Sequence, residues 1–148
     1  YVPTAEDIGF LLRVVATPRS DLGEQGQPVV ATTTERIKIA LPSVRNLRIE
    51  GGPYHTAGYR IKADYVGGIE GDSIVQWFKI KSGVSAAIPG ANDFVFVPSI
   101  DDVACTLKVE YTPVRADGRK GATVAAESHS LKIDPSIGKL VKNHIVSG

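Results

Sequence analysis

A single cysteine, Cys105, occurs in 148 residues, so no disulfide can close within the chain. Extracellular β-domains often carry a pair, and a lone thiol points to a reducing, cytoplasmic compartment. No run of about 18 apolar residues is present, so no transmembrane helix is expected. No signal peptide is visible, although the chain starts at Tyr1 rather than methionine and reads as a piece of something longer. Neither sign of charge dominates. Lys and Arg number 17 against 16 Asp and Glu, a net charge of +1, whereas a dedicated nucleic-acid binder shows a basic excess. Three histidines, His55, His129 and His144, are scattered at no metal-site spacing and are expected on the surface. No metal or cofactor is expected.

What the sequence has is a repeat. Residues 2–33 align with residues 97–128 without a gap, at an offset of 95, and 11 of the 32 pairs are identical. Among them are Pro3/Pro98, Asp7/Asp102, Leu12/Leu107, Val14/Val109, Pro18/Pro113, Gly23/Gly118 and Gly26/Gly121. A shorter match sets L-P-S-V-R-N-L at 41–47 against D-P-S-I-G-K-L at 134–140. The expected organisation is therefore a window on a tandem array. Residues 1–41 are read as the C-terminal half of a preceding repeat, 42–134 as one complete repeat, and 135–148 as the first strand of the next.

Each copy is rich in Val, Ile, Thr and Tyr and is punctuated by Gly, Pro and Asp, the pattern of short antiparallel strands. Within the complete copy, strands are predicted near 44–49 and over 59–66, 74–80, 92–98, 103–114 and 122–133, and a hairpin tip over 115–121. Tyr65, Ala63 and Ile61 share one face of the second strand. Val103, Cys105, Leu107 and Val109 form the inward set of the long strand, and Ile8, Phe10, Leu12 and Val14 form it in the first copy. About seven strands in this length predict an all-β, immunoglobulin-like Greek-key β-sandwich. Trp77 follows Ala63 by 14 residues, the distance that places a central tryptophan over the second strand of such a domain. Ala63 and Leu107 fall where an immunoglobulin carries its disulfide, so an apolar core is expected to replace the bridge.

The phrase P-S-I-D-D at 98–102 matches P-T-A-E-D at 3–7. In both, an acid three residues after a Ser or Thr can bond back to that residue's amide, a cap worth about 1 kcal/mol. Paired acids also do acid/base chemistry. Neighbours on a corner seldom converge on one substrate, and a capping role is the simpler reading. Cys105 has inward parity and reads as an inert core thiol. The glycine-rich G-G-I-E-G-D-S at 67–73 does not lead from a strand into a helix, so no phosphate cradle is expected. No enzymatic constellation is found. One surface merits attention as a binding site: Arg115, Arg119 and Lys120 at the hairpin tip, facing an acidic protein partner or anionic lipid. The tip of the first copy, R-S-D-L-G-E-Q-G, carries two acids and one base, so a basic tip is not needed for folding.

Gly71, Ser73 and Trp77 in a G-x-S-x-x-x-W run, the P-[ST]-x-[DE]-D corner, Thr112-Pro113 after the long strand and G-x-x-G in the hairpin resemble the immunoglobulin-like repeats of the plant auxin-induced-in-root-cultures nine family of microtubule-associated proteins. The resemblance spans the complete unit and both partial ones. It departs at Ala104, where the first copy has Gly9; alanine there implies φ < 0 or mild strain. In that family a basic, serine-rich segment implies microtubule binding, and the repeat array is implicated in placement at the cortical division site. The resemblance thus implies a non-enzymatic, cytoskeletal interaction and targeting module with a protein partner. An extracellular adhesion or carbohydrate-binding sandwich and an accessory domain of a larger enzyme are the alternatives. The severed apolar faces of the end segments also predict docking on the complete unit or head-to-tail self-association.

Overall fold

The computed structural model describes residues 1–137 and 139. It divides into two compact units, Tyr1–Ala40 and Leu41–Gly148. The first contains a single 3-10 turn, Ala5–Asp7, and two antiparallel strands, β1 (Arg13–Ala16) and β2 (Val29–Thr32). The second contains β3 (Ser43–Gly51), β4 (Tyr59–Val66), β5 (Ile74–Lys81), β6 (Val84–Ala87), β7 (Val95–Phe96), a 3-10 turn at Ile100–Asp102, β8 (Thr106–Thr112) and β9 (Val124–Ser130).

The strands of the second unit form two antiparallel sheets with orders β3-β4-β7 and β6-β5-β8-β9. The chain crosses between sheets after β4, β6 and β7, which is the Greek-key path of an immunoglobulin-like sandwich. Alternation drives this arrangement. Along β8 every second residue, Leu107, Val109 and Tyr111, is buried, and along β4 Tyr59 and Ile61 are buried between exposed Arg60 and Lys62. Trp77 sits at the centre with 0% of its surface exposed. It lies opposite Val109 in the β5–β8 ladder, stacks on Phe96 with ring centroids 5.5 Å apart, and shares its cluster with Leu107. Ala63 packs against that cluster. Apolar side chains fill the place of a disulfide, and Cys105 is a free, buried thiol.

Two elements differ from the sequence expectation. β6 was not predicted; it is an edge strand exposed along its whole length, so it carries no buried periodicity. It is reached through Ser82 and Gly83, both at positive φ, the two-residue turn whose twist suits a hairpin. The strand predicted over 92–98 shortens to Val95–Phe96. The carbonyl of Asp93 is turned instead to the Trp77 indole, which donates to it at 2.8 Å. Of the three histidines expected on the surface, His129 is exposed, His55 is buried, and His144 lies outside the described residues. The strand expected over 135–148 also lies outside them, except residues 135–137 and 139, whose backbone is helical.

Each unit carries the same corner. Asp102 Oδ2 accepts the Ser99 amide at 2.8 Å, and Asp7 Oδ2 accepts the Thr4 amide at 2.7 Å. Two positions further on the backbone is left-handed in both, φ 86° at Gly9 and 65° at Ala104, so alanine accepts mild strain rather than escaping to negative φ. The match continues bond for bond: Leu12 N donates to Thr33 Oγ1 as Leu107 N does to Ser128 Oγ, and Gly26 N donates to the Pro18 carbonyl as Gly121 N does to that of Pro113. The environments differ, however. Phe10 and Val14 are 63% and 61% exposed within the first unit, where Cys105 and Val109 are buried in the second.

Replacing Trp77 removes the largest buried side chain and the Asp93 bond together. Trp77→Ala is expected to destabilise the second unit by about 3–5 kcal/mol, read as a lowered urea midpoint at unchanged slope. An unchanged midpoint would contradict the central position given to this residue.

Candidate functional site

The hairpin joining β8 to β9 is built from its two glycines outward. Arg115 N donates to the Arg119 carbonyl, and Gly118 N donates back to the Arg115 carbonyl, both at 2.8 Å. Gly118 stands at φ 85°, a conformation that side chains disfavour. Gly121 is required for a different reason. A Cβ there would overlap the Pro42 carbonyl oxygen, so the tip and the start of β3 approach backbone to backbone. The G-x-x-G spacing thus joins a turn requirement to a packing requirement.

A second loop braces the same hairpin. Gly71 N donates to the Val114 carbonyl and Ala116 N to that of Ile69, each at 2.8 Å. Ser73 Oγ donates to Glu70 Oε1 at 2.6 Å and accepts the Val114 amide at 3.1 Å. Tyr111, fully inside the sandwich, donates its hydroxyl to Glu70 Oε1. Burial, followed by this bond to Glu70, pushes the Tyr111 hydroxyl up to about 12. The G-x-S-x-x-x-W run therefore has three structural jobs: close approach at Gly71, bracing at Ser73 and core filling at Trp77. Beside it Glu70, Gly71, Asp72, Ser73 and Phe94 line a cleft of ≈ 400 Å³.

The three basic residues singled out in the sequence do not act alike. Arg119 and Lys120 lie exposed on the tip. Arg115 turns back: its side chain is only 10% exposed, and its fork meets Asp117 through Nε–Oδ1 at 2.9 Å and Nη2–Oδ2 at 2.7 Å. Such a paired fork fixes geometry as well as charge. The bond from Arg115, followed by the Arg119 amide, holds the Asp117 carboxyl down at about 2. Sequence reasoning counted Arg115 with the tip charges because the partner two residues on, Asp117, was not weighed.

The paired acids are also placed. Asp102 is buried in its corner and receives Lys79 Nζ at 3.4 Å, while Asp101 is exposed. Among the described residues no group of three or more His, Cys, Asp or Glu side chains is arranged to hold a metal, and no helix is long and apolar enough to cross a membrane.

Two tests follow from this geometry. Gly121→Ala is expected to cost about 1–3 kcal/mol through overpacking against Pro42, measurable by thermal unfolding. Because the folded pKa of Asp117 lies below the ordinary 3.8, its contribution is intact above pH 4 and is lost as pH falls towards 2. An NMR titration of the Asp117 carboxyl should give a midpoint near 2 and move back towards 3.8 in Arg115→Gln.

The profile of the AIR9 A9 domain, an immunoglobulin-like module, matches residues 43–128, from the first residue of β3 to the fifth residue of β9. The chain is also similar to the 187-kDa microtubule-associated protein AIR9 of Arabidopsis thaliana, with 33% identity over 150 residues. That alignment takes in 100% of this chain and 9% of the Arabidopsis protein. A domain match over more than half the chain, a whole-chain relative and a two-sheet sandwich centred on Trp77 agree, and the chain belongs to the AIR9 A9-domain family.

Proposed function

We propose that this chain is a non-enzymatic, protein-binding repeat module of a cytoskeletal, microtubule-associated protein, and that it helps place that protein at a cortical site. The observation carrying this reading is the 33% identity that runs the full length of the chain to a microtubule-associated protein. The reading takes residues 1–41 as the C-terminal half of one repeat, 42–134 as a complete repeat and 135–148 as the start of another. Equivalent corner and hairpin bonds in the two units support it. The site of contact is the hairpin tip of the second unit. Arg119 and Lys120 offer the charge, and Arg115, held by Asp117, supports the shape.

Expressed as a fluorescent fusion in dividing plant cells, the chain is expected to concentrate at the cortical division site. A uniformly dispersed signal would overturn the reading. Arg119→Ser combined with Lys120→Ser should weaken that recruitment without changing the melting midpoint. Binding to the partner should also fall with added salt, since exposed charges are screened over about 8 Å at physiological ionic strength.

A further inference from the structure

A pocket of ≈ 260 Å³ lies in the second unit between the end of β3 and the end of β9, walled by Ile49, Gly52, Pro53, Tyr59, Glu127 and His129. The hairpin tip meets the opposite end of β3, at Pro42, so the two sites are separate. The turn that forms one wall is held by main chain: Lys132 N donates to the Pro53 carbonyl at 2.8 Å, and His55 N to the Lys132 carbonyl at 3.0 Å. Tyr59 is only 2% exposed, yet its hydroxyl has no hydrogen-bond partner among the described residues. Buried polar groups are nearly always satisfied, so this one calls for a physical account. The side-chain-free Gly52 lies against it at φ 85°, and a Cβ there would stand 2.6 Å from the hydroxyl oxygen.

Charge at the pocket has one sign to offer. Glu127 is exposed and makes no hydrogen bond or ion pair among the described residues. Its ladder neighbour Lys108 gives its ammonium to Glu110 at 2.7 Å instead. β9 also bulges here: Thr106 and Lys108 face Ser130 and Glu127, so β9 holds one residue more than β8 over this interval. Bulges re-aim side chains and recur beside binding sites. Among the described strands β3 pairs only with β4 and β9 only with β8, so the pocket opens between two sheet edges. Its volume is below that of a usual small-molecule site and suits a single long side chain.

We propose that the pocket seats one basic side chain, an arginine or a lysine, carried on an extended segment of a protein partner. The apolar stem lies on Ile49 and Pro53, and the charged head meets Glu127. As Gly52 gives way, one N–H of the head is donated to the Tyr59 hydroxyl, and the segment's main chain bonds along the open edges. The site goes beyond the tip contact and does not rest on the cortical reading.

The test is an NMR titration of the full chain with N-acetyl-arginine amide, read at the amides of Gly51, Gly52 and His129. The isosteric, uncharged N-acetyl-citrulline amide and the bare methylguanidinium ion are the comparisons. Saturable shifts are expected with the arginine probe, and binding at least about tenfold weaker with the citrulline probe, which lacks the charge. Glu127→Gln should weaken the arginine probe to a similar degree. Tyr59→Phe should weaken it about threefold, the loss of one hydrogen bond, without lowering the melting midpoint, because the hydroxyl has no partner in the fold to lose. Absence of a saturable shift, equal binding of the citrulline probe, or unchanged binding by Glu127→Gln overturns the proposal. Methylguanidinium binding as tightly as the capped residue would assign the pocket to a free cation and overturn it too. A lowered midpoint in Tyr59→Phe would show that the hydroxyl is already satisfied in the fold and remove it from the site.

Discussion

The indole of Trp77 is the constraint on which the sandwich depends. It is the only tryptophan in the chain, and it is completely buried. Its N–H, sealed from water, needs an acceptor, because an unsatisfied buried donor costs about 1–3 kcal/mol. The Asp93 carbonyl supplies it. That single bond ties the middle of β5 to the segment entering β7, and so links the two sheets by something more directional than apolar contact. With no disulfide present, the pairing of the sheets rests on the indole, its bond and the side chains packed around it.

From that centre the order extends outward to the hairpin. Tyr111 lies on the same face of β8 as Val109, the ladder partner of Trp77, and its hydroxyl leaves the core to meet Glu70. Glu70 is also held by Ser73, and Ser73 holds the Val114 amide. A continuous path of packing and hydrogen bonds therefore runs from the core to the base of the tip. Arg115, tucked against Asp117, is its last member. The exposed charges of Arg119 and Lys120 stand on a rigid base, which reduces the ordering cost of any contact they make.

The sequence made legible whatever depends on alternation or on repetition. The inward sets of β4 and β8, the centrality of Trp77, and the capping role of Asp7 and Asp102 all leave a periodic or duplicated trace. β6 left none, since an edge strand exposed on both faces has no buried parity to detect. The length of β7 was misjudged because the carbonyl of Asp93, two residues before it, accepts the Trp77 indole rather than a ladder amide. His55 was misplaced for a related reason: it is buried beside Lys132 and Asp134, residues nearly 80 positions away. At the tip, residue types were readable but orientation was not, so Arg115 was grouped with Arg119 and Lys120 although it points inward. Ala104 shows the limit of a propensity argument. The corner's geometry prevails over the preference of alanine for negative φ.

The two hairpin tips share their backbone bonds but not their side chains. Ser20, Asp21, Leu22 and Glu24 in one unit stand where Arg115, Ala116, Asp117 and Arg119 stand in the other, yet the turn closes through the same amides and carbonyls. Shape at this point is written in glycines and main chain, and charge is written separately in the residues between them. Mutation can therefore rewrite the charge of one tip without disturbing its fold or any other tip. Two units that share this turn can differ in the chemistry they present while meeting the same packing requirement.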